Sequence, residues 1–356
     1  MRYVPLEFVK EGSVLGKHVY DDLGRVLLKK GTMISQSLKH RLNNYGVYAV
    51  YLEDPYSEAE IEEVIKPELR NRAVMTIKNT FSKFKKSLGE ENQKGNAKTE
   101  NMAKIDKVAT DIMLDILENP QLVVHMVDIK TKDNYQFQHA ISVSVLSLIL
   151  GVKLKLNETK LKDLGTGAML HDIGKTFMDL ELLNKEKKNS QELELIKGHV
   201  KSGYDFLRGA YGISSHSRMI VFQHHENVDG SGYPRGARKD DIHYLARIVR
   251  IANDYDLLTS TTPWNKGIAP NEAIEYIMGH SGIYYDIDMV RVFVSSIIPY
   301  PNGTHVKLSV NKMGIITRQN EGFPLRPVVK ILGFGEKDTE IDLIKHINIV
   351  IEKVVY

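Results

Sequence analysis

Between residues 139 and 254 the chain carries His139, the pair His171-Asp172, His199, the pair His224-His225 and an acidic position near Asp254, each close to a predicted helix or helix end. Imidazoles and carboxylates borne on successive helices can converge inside a bundle, and such a donor set suits divalent iron, manganese or zinc better than magnesium. A two-metal site is the natural product of so many donors. Cysteine is absent. Disulfides and thiolate metal sites are therefore excluded, and any metal must sit on imidazole and oxygen ligands.

Taken singly, each of these residues has a plainer explanation. A histidine such as His139 on an apolar helix face is more often a hydrogen-bonded core residue than a ligand. The doublets are harder to dismiss, because neighbouring helical side chains point about 100° apart and a doublet at a helix end can serve two metals or bridge them. Lys175 lies four residues after His171, on the same side of a helical turn. Outside a motif it would read as a solvated surface lysine. The stretch DGSGYP holds two glycines and a proline, which make a tight loop where backbone can come close to a ligand. By itself it is a turn.

The elements that must position these residues are mainly helical. Helix-period patterns dominate from Met102 to Val294: KIDKVATDIMLDILE, YQFQHAISVSVLSLILGVKL, LKDLGTGAMLHDIG, SQELELIKGHVKSGYDFL, SSHSRMIVFQHHE, HYLARIVRIANDYDLLTS and PNEAIEYIMG. Before them, residues 1–55 alternate short apolar runs with turn signals, including Asp22-Leu23-Gly24 and a short helical piece from Ser35 to Tyr45, and read as a small β-rich module. Residues 56–101 read as a charged helical linker that ends in an exposed polar loop, SLGEENQKGNAKTEN. After Ile298 the runs GTHVKLSV, GIITRQ and PVVKILG, punctuated by prolines and glycine, read as strands. The expected organisation is thus a mainly α protein: module 1–55, linker 56–101, helical domain 102–295 and a small C-terminal β module over 296–356.

At 356 residues more than one core is expected. Hydrophobic residues at 42% and charged residues at 26% give a globular balance. The opening residues lack the basic start, apolar stretch and small-residue cleavage site of a secretory signal, and no run reads as a membrane span, so a cytoplasmic location is expected. A net charge of +3, spread along the chain, gives no case for general nucleic-acid binding. A small anionic ligand needs only a local basic pocket.

The stretches HDIGK (171–175) and HHENVDGSGYPRG (224–236) resemble, nearly letter for letter, the two signatures of the HD-GYP branch of the HD phosphohydrolase superfamily. His199 in KGHVKSG and His139 in FQHAISV stand in the order and approximate spacing of that family's other histidine ligands. The resemblance covers roughly residues 130–295. It implies an HD-type helical bundle holding two divalent ions, iron or manganese first, with zinc, nickel or magnesium as alternatives. His139, His171 and Asp172 would hold one ion; His199, His224, His225 and a shared Asp172 would hold the other. The implied activity is hydrolysis of the bacterial second messenger cyclic di-GMP to linear pGpG, with onward cleavage to GMP left open. Two cations about 3.5–4 Å apart can bridge a hydroxide and clamp phosphate oxygens in an in-line displacement. Within the motifs, Asp172 and Lys175 are the expected catalytic pair, with Lys175 balancing phosphate charge or protonating the leaving group. Gly232, Tyr233, Pro234 and Arg235 form the expected substrate loop, Tyr233 to stack on a guanine and Arg235 to bind phosphate.

Three positions depart from the pattern. Alignment of RIANDYDLLTSTTPWNK on Asp256 puts Asn253 where the family has an aspartate ligand, with Asp254 as the alternative through a helix shift. Asparagine can coordinate through its amide oxygen but brings no negative charge, so one metal should be held more weakly. Thr262 stands where an arginine usually precedes the proline. Tyr135 stands one turn before the first histidine, where members with a third metal carry a glutamate, so two metals are expected. These departures keep two further readings open: a cyclic di-GMP receptor with weakened catalysis, and a phosphodiesterase for another cyclic dinucleotide. A homodimer or a signalling partner protein is also left open.

Overall fold

The apolar run FQHAISVSVLSLILGVK lies within α4 (Tyr135–Lys153), in which every residue from His139 to Gly151 is buried. A helix apolar on all sides belongs in the middle of a bundle. In the computed structural model, which describes residues 1–20, 25–47, 49–54, 64–87, 94–118, 135–208, 210, 212–260, 267–332 and 339–356, α4 occupies that place. Around it pack α2 (Pro67–Ser87), α3 (Lys94–Glu118), α5 (Glu158–Leu170), α10 (Tyr244–Thr259) and α12 (Ile287–Ser296). By length and composition α4 could cross a membrane, which corrects the reading that no run approaches a span. In the fold, 72% of that stretch is buried against protein.

The polar stretch before residue 102 differs from expectation. α3 begins at Lys94, so the C-terminal half of the expected loop is helical; residues 88–93 lie outside the described residues. Ile77, Phe81 and Phe84 of α2 and Met102, Ile105 and Ile112 of α3 are buried in the same cluster as Ile141, Leu148 and Val249. These two helices are part of the helical body, and the boundary expected at 102 falls inside α3. Charged residues on the outward face of an amphipathic helix masked its inner stripe.

After α5 the chain turns through a 3-10 helix (Ile173–Phe177), the short α6 (Leu180–Asn184), α7 (Ser190–Lys197), α8 (His199–Arg208) and α9 (Ser215–Gln223). Local caps set these starts: Asn157 accepts from the backbone of Lys160, Asn189 and Glu192 form a capping box, and Ser214 accepts from Ser217. α11 (Pro270–Gly279) follows α10.

The N-terminal module pairs β1 (Arg2–Pro5) with β4 (Ala49–Leu52) and β2 (Val19–Tyr20) with β3 (Val26–Leu28), with α1 (Gln36–Asn44) between β3 and β4. The expected turn at Asp22-Leu23-Gly24 lies outside the described residues. The C-terminal module is an antiparallel five-stranded sheet ordered β8-β7-β6-β5-β9, built from β5 (His305–Leu308), β6 (Met313–Arg318), β7 (Val328–Leu332), β8 (Glu340–Asp342) and β9 (Ile351–Val354). Each module has its own apolar cluster. They meet at Asp54, whose carboxylate lies 2.9 Å from His305 Nε2 and 3.3 Å from Arg2 Nε, and where Phe8 stacks on Tyr356 at 5.4 Å. A cavity of about 530 Å³ lies beside this junction, lined by none of the predicted site residues.

Candidate metal centre

Helix ends carry most of the site. His171 caps the C-terminus of α5, His199 opens α8, His224 caps the C-terminus of α9, and only His139 and Asn253 sit within helices, α4 and α10. Gly174 lets these ends meet. A Cβ there would stand 2.0 Å from the backbone oxygen of His199, so the glycine of HDIGK allows the 3-10 turn after Asp172 to touch the start of α8.

The ring nitrogens have an ordered arrangement. Nδ1 of His171, His199 and His224 lies 2.7, 2.7 and 3.0 Å from the carbonyl oxygens of Ala168, Ile196 and Val221, in each case three residues earlier. A carbonyl can only accept, so each Nδ1 carries a proton, and in the neutral ring each Nε2 presents a lone pair. His139 Nδ1 likewise donates to Asp256 Oδ2 at 2.6 Å. The bare Nε2 atoms then face one another: His139 to His171 at 3.2 Å and His199 to His224 at 3.3 Å.

Asp172 sits between the two pairs. Its Oδ2 is 3.5 Å from His171 Nε2 and 3.8 Å from His139 Nε2, while Oδ1 is 3.2 Å from His199 Nε2 and 3.7 Å from His224 Nε2. Oδ1 is buried with no well-formed hydrogen bond among the described residues. Facing lone pairs and an orphaned carboxylate oxygen repel unless something positive lies between them, which is the electronic condition of a cation site. Two groups of donor atoms fit an ion, each drawn together within 4.8 Å: Asp172 with His199, His224 and His225, and Asp172 with His139 and His171. The donors, imidazole nitrogen and carboxylate oxygen, suit a divalent transition ion.

Electrostatics agree with this picture. Burial works to raise the Asp172 pKa, but Lys175, whose Nζ is 2.7 Å from Oδ2, holds the carboxyl well below its usual range. Burial pushes His139 down, His224 down to about 3 and His225 well below the ordinary imidazole value. All three are neutral at pH 7, the form in which an imidazole can bind a metal. Tyr135 stacks on His139 at 5.8 Å, and burial raises its phenol, so the hydroxyl stays protonated and is a poor ligand.

At the position where sequence left a choice, Asn253 is the buried residue and its Oδ1 is 3.2 Å from His139 Nε2. Asp254 is turned away, paired with Arg250 and accepting from the Tyr285 hydroxyl at 2.6 Å. Thr262 lies outside the described residues.

The loop after the histidine doublet is folded over it. Tyr233 stacks on His225 at 4.6 Å and 19°, and Lys197 Nζ lies 5.6 Å from the centroid of the same ring. Gly232 is needed for the stack on His225, since a Cβ would come within 2.4 Å of the His225 carbonyl oxygen. Pro234 and Arg235 are exposed, and the Arg235 guanidinium lies 5.0 Å over the Phe222 ring. Two residues were given no role in the sequence reading. Buried Glu226 accepts from the backbone of Arg235 at 2.8 Å and of Ala237 at 2.9 Å, fastening the loop; its only signal was its place beside the doublet. Asp256, used only as an alignment anchor, orients His139.

Comparison with known proteins agrees with this fold. Residues 121–289 match the family described as HD domain. The match spans α4 to α11 of the helical body and includes the histidine and aspartate groups that could hold a metal ion. The stretches HDIGK and GYP lie within the matched residues. A cyclic di-GMP phosphodiesterase of Pseudomonas aeruginosa is 32% identical over 222 residues, 62% of this chain and 53% of that protein. A 3'3'-cGAMP-specific phosphodiesterase of Vibrio cholerae is 34% identical over 167 residues, 47% of this chain and 38% of that protein. The chain thus spans about half the length, or less, of these curated relatives. In fold it resembles an HDG"Y"P protein of Bdellovibrio bacteriovorus, with a TM-score of 0.54 at 19% identity, covering 82% of this chain and 98% of that one.

Proposed function

We propose that this chain hydrolyses cyclic di-GMP to linear pGpG at a centre of two divalent ions, iron or manganese, held by His139, His171, Asp172 and Asn253 on one side and Asp172, His199, His224 and His225 on the other. The observation that carries the proposal is the convergence of four imidazole Nε2 atoms on both oxygens of Asp172. Bound ions would supply an activated water and neutralise phosphate charge. The chain's own groups have separate tasks. Asp172 links the two donor groups, Lys175 places an ammonium beside them for a non-bridging phosphate oxygen, and the exposed Arg235 can meet phosphate at the rim. Glu226 and Gly232 hold the GYP loop against His225.

The test is to incubate iron- or manganese-loaded protein with cyclic di-GMP and follow pGpG by chromatography. Appearance of pGpG supports the proposal; no linear product from metal-loaded protein refutes it. Tight binding of the intact dinucleotide without turnover would instead mark a receptor, the outcome to which Asn253 in place of a charged ligand lends support. Similarity to the cGAMP-specific relative supports cyclic GMP-AMP as a second substrate, and parallel assays with both dinucleotides decide between them.

A further inference from the structure

Asn253 and the charge around it govern how the proposed two-ion centre would fill, an inference that rests on that reading of the site. The Asn253 Nδ2 donates to Asp254 Oδ1 at 3.2 Å, which leaves Oδ1 aimed at His139 Nε2. Because Nδ1 of His139 donates to Asp256, both atoms across that 3.2 Å gap are acceptors. An amide oxygen so placed can donate electrons to a cation beside His139 and His171, but it adds no charge. Asp254 does not make good the difference, since Arg250 and the Tyr285 hydroxyl engage its carboxylate.

Two carboxylates, Asp172 and Asp256, and one ammonium, Lys175, adjoin the donor atoms. They leave a single net negative charge against the four positive charges of two divalent ions. At the separation of about 4 Å typical of two-metal sites, that repulsion is severe in a buried setting. The halves are also unequal. One offers three imidazoles and Asp172; the other offers two imidazoles, an amide oxygen and the far oxygen of Asp172. Imidazole suits iron, so the half with three imidazoles is the stronger site for it.

The geometry points to a centre that fills in two stages: one divalent ion settles on His199, His224, His225 and Asp172, and the second, on His139, His171 and Asn253, binds firmly only together with a phosphate oxyanion. Free phosphate and the diester of a nucleotide share that chemistry. The anion brings the negative charge that an aspartate at 253 would have provided.

Titration of the metal-free full chain with manganese, with free ion read by electron paramagnetic resonance, tests this in three arms: no anion, inorganic phosphate, and a non-hydrolysable phosphorothioate cyclic dinucleotide. Without anion one ion should bind tightly, and an anion arm should tighten the second by about tenfold or more. The arm that does so names the source. Asn253→Asp should take up the second ion without anion. Two equally tight ions in the wild type without anion, no response to either anion, or a variant whose second ion is no tighter than the wild type's would overturn the inference. Absence of any bound ion in every arm would instead defeat the two-ion reading itself, and this inference with it.

Discussion

At the scale of single residues, the protonation of each imidazole is set by what its far nitrogen meets. His171, His199 and His224 use a backbone carbonyl for this, and a carbonyl cannot be lost by side-chain substitution. His139 relies on the Asp256 carboxylate and is the vulnerable one. Replacing Asp256 by asparagine removes the charge behind His139 and should weaken metal binding by roughly 10- to 100-fold, as loss of such supporting groups usually does; a competition titration against a chelator measures it. Lys175 gives a contrasting expectation. Its ammonium pairs with Asp172 but donates no electrons to an ion, so Lys175→Ala should leave metal content intact while turnover falls by on the order of 10²-fold. Elemental analysis beside the turnover assay separates the two effects, and loss of metal in this variant would show that the lysine is structural.

At the scale of elements, the site is a meeting of helix ends, and the meeting depends on close approach of backbones. The 3-10 turn after Asp172 and the first residue of α8 touch through Gly174. Gly174→Ala would force these elements apart, because the nearest atom is backbone and cannot rotate away. The expected result is a loss of roughly 1–3 kcal/mol of stability, together with weakened metal binding as His199 moves from Asp172. Urea denaturation and metal titration report the two independently; a variant as stable as the parent, with normal metal affinity, would show that this contact is easily relaxed. Helix boundaries around the site were readable from caps and period, but membership of α2 and α3 in the body was not. Their inner stripes, such as Ile77 and Phe81, match nothing until α4 is placed against them.

At the scale of the whole molecule, the bundle buries several neutral histidines in one place, and this has a pH consequence for the metal-free protein. His224 sits at about 3 when folded, against an ordinary value of 6.5, and burial lowers His139 and His225 as well. Between those two values the unfolded chain binds the extra proton, so stability is fully present above 6.5 and is lost as pH falls toward 3. His224 alone contributes up to about 1.4 kcal/mol per pH unit within that window. Asp172, held low in the fold, adds its loss only below the usual carboxylate range. Denaturant midpoints of chelator-treated protein should therefore drop steadily from pH 7 to pH 5, and a flat profile would contradict the burial of neutral imidazoles. Bound metal should oppose the drop by binding the neutral form.

The chain by itself determined the kind of chemistry on offer. Without cysteine, and with histidines and an aspartate placed on successive helices, only nitrogen and oxygen donors were available for a metal, and HDIGK and GYP pointed to one family. Their convergence needed the tertiary structure, because His139 meets Asn253 and Asp256 across separations of 114 and 117 residues. So did the choice of Asn253 over Asp254, which turns on which face of α10 is buried, and the role of Glu226, which accepts from backbone nine and eleven residues further on. Donor types are a property of composition and order. Which atoms point inward, and with which proton, is decided only when helix ends are packed and every buried nitrogen must find a partner.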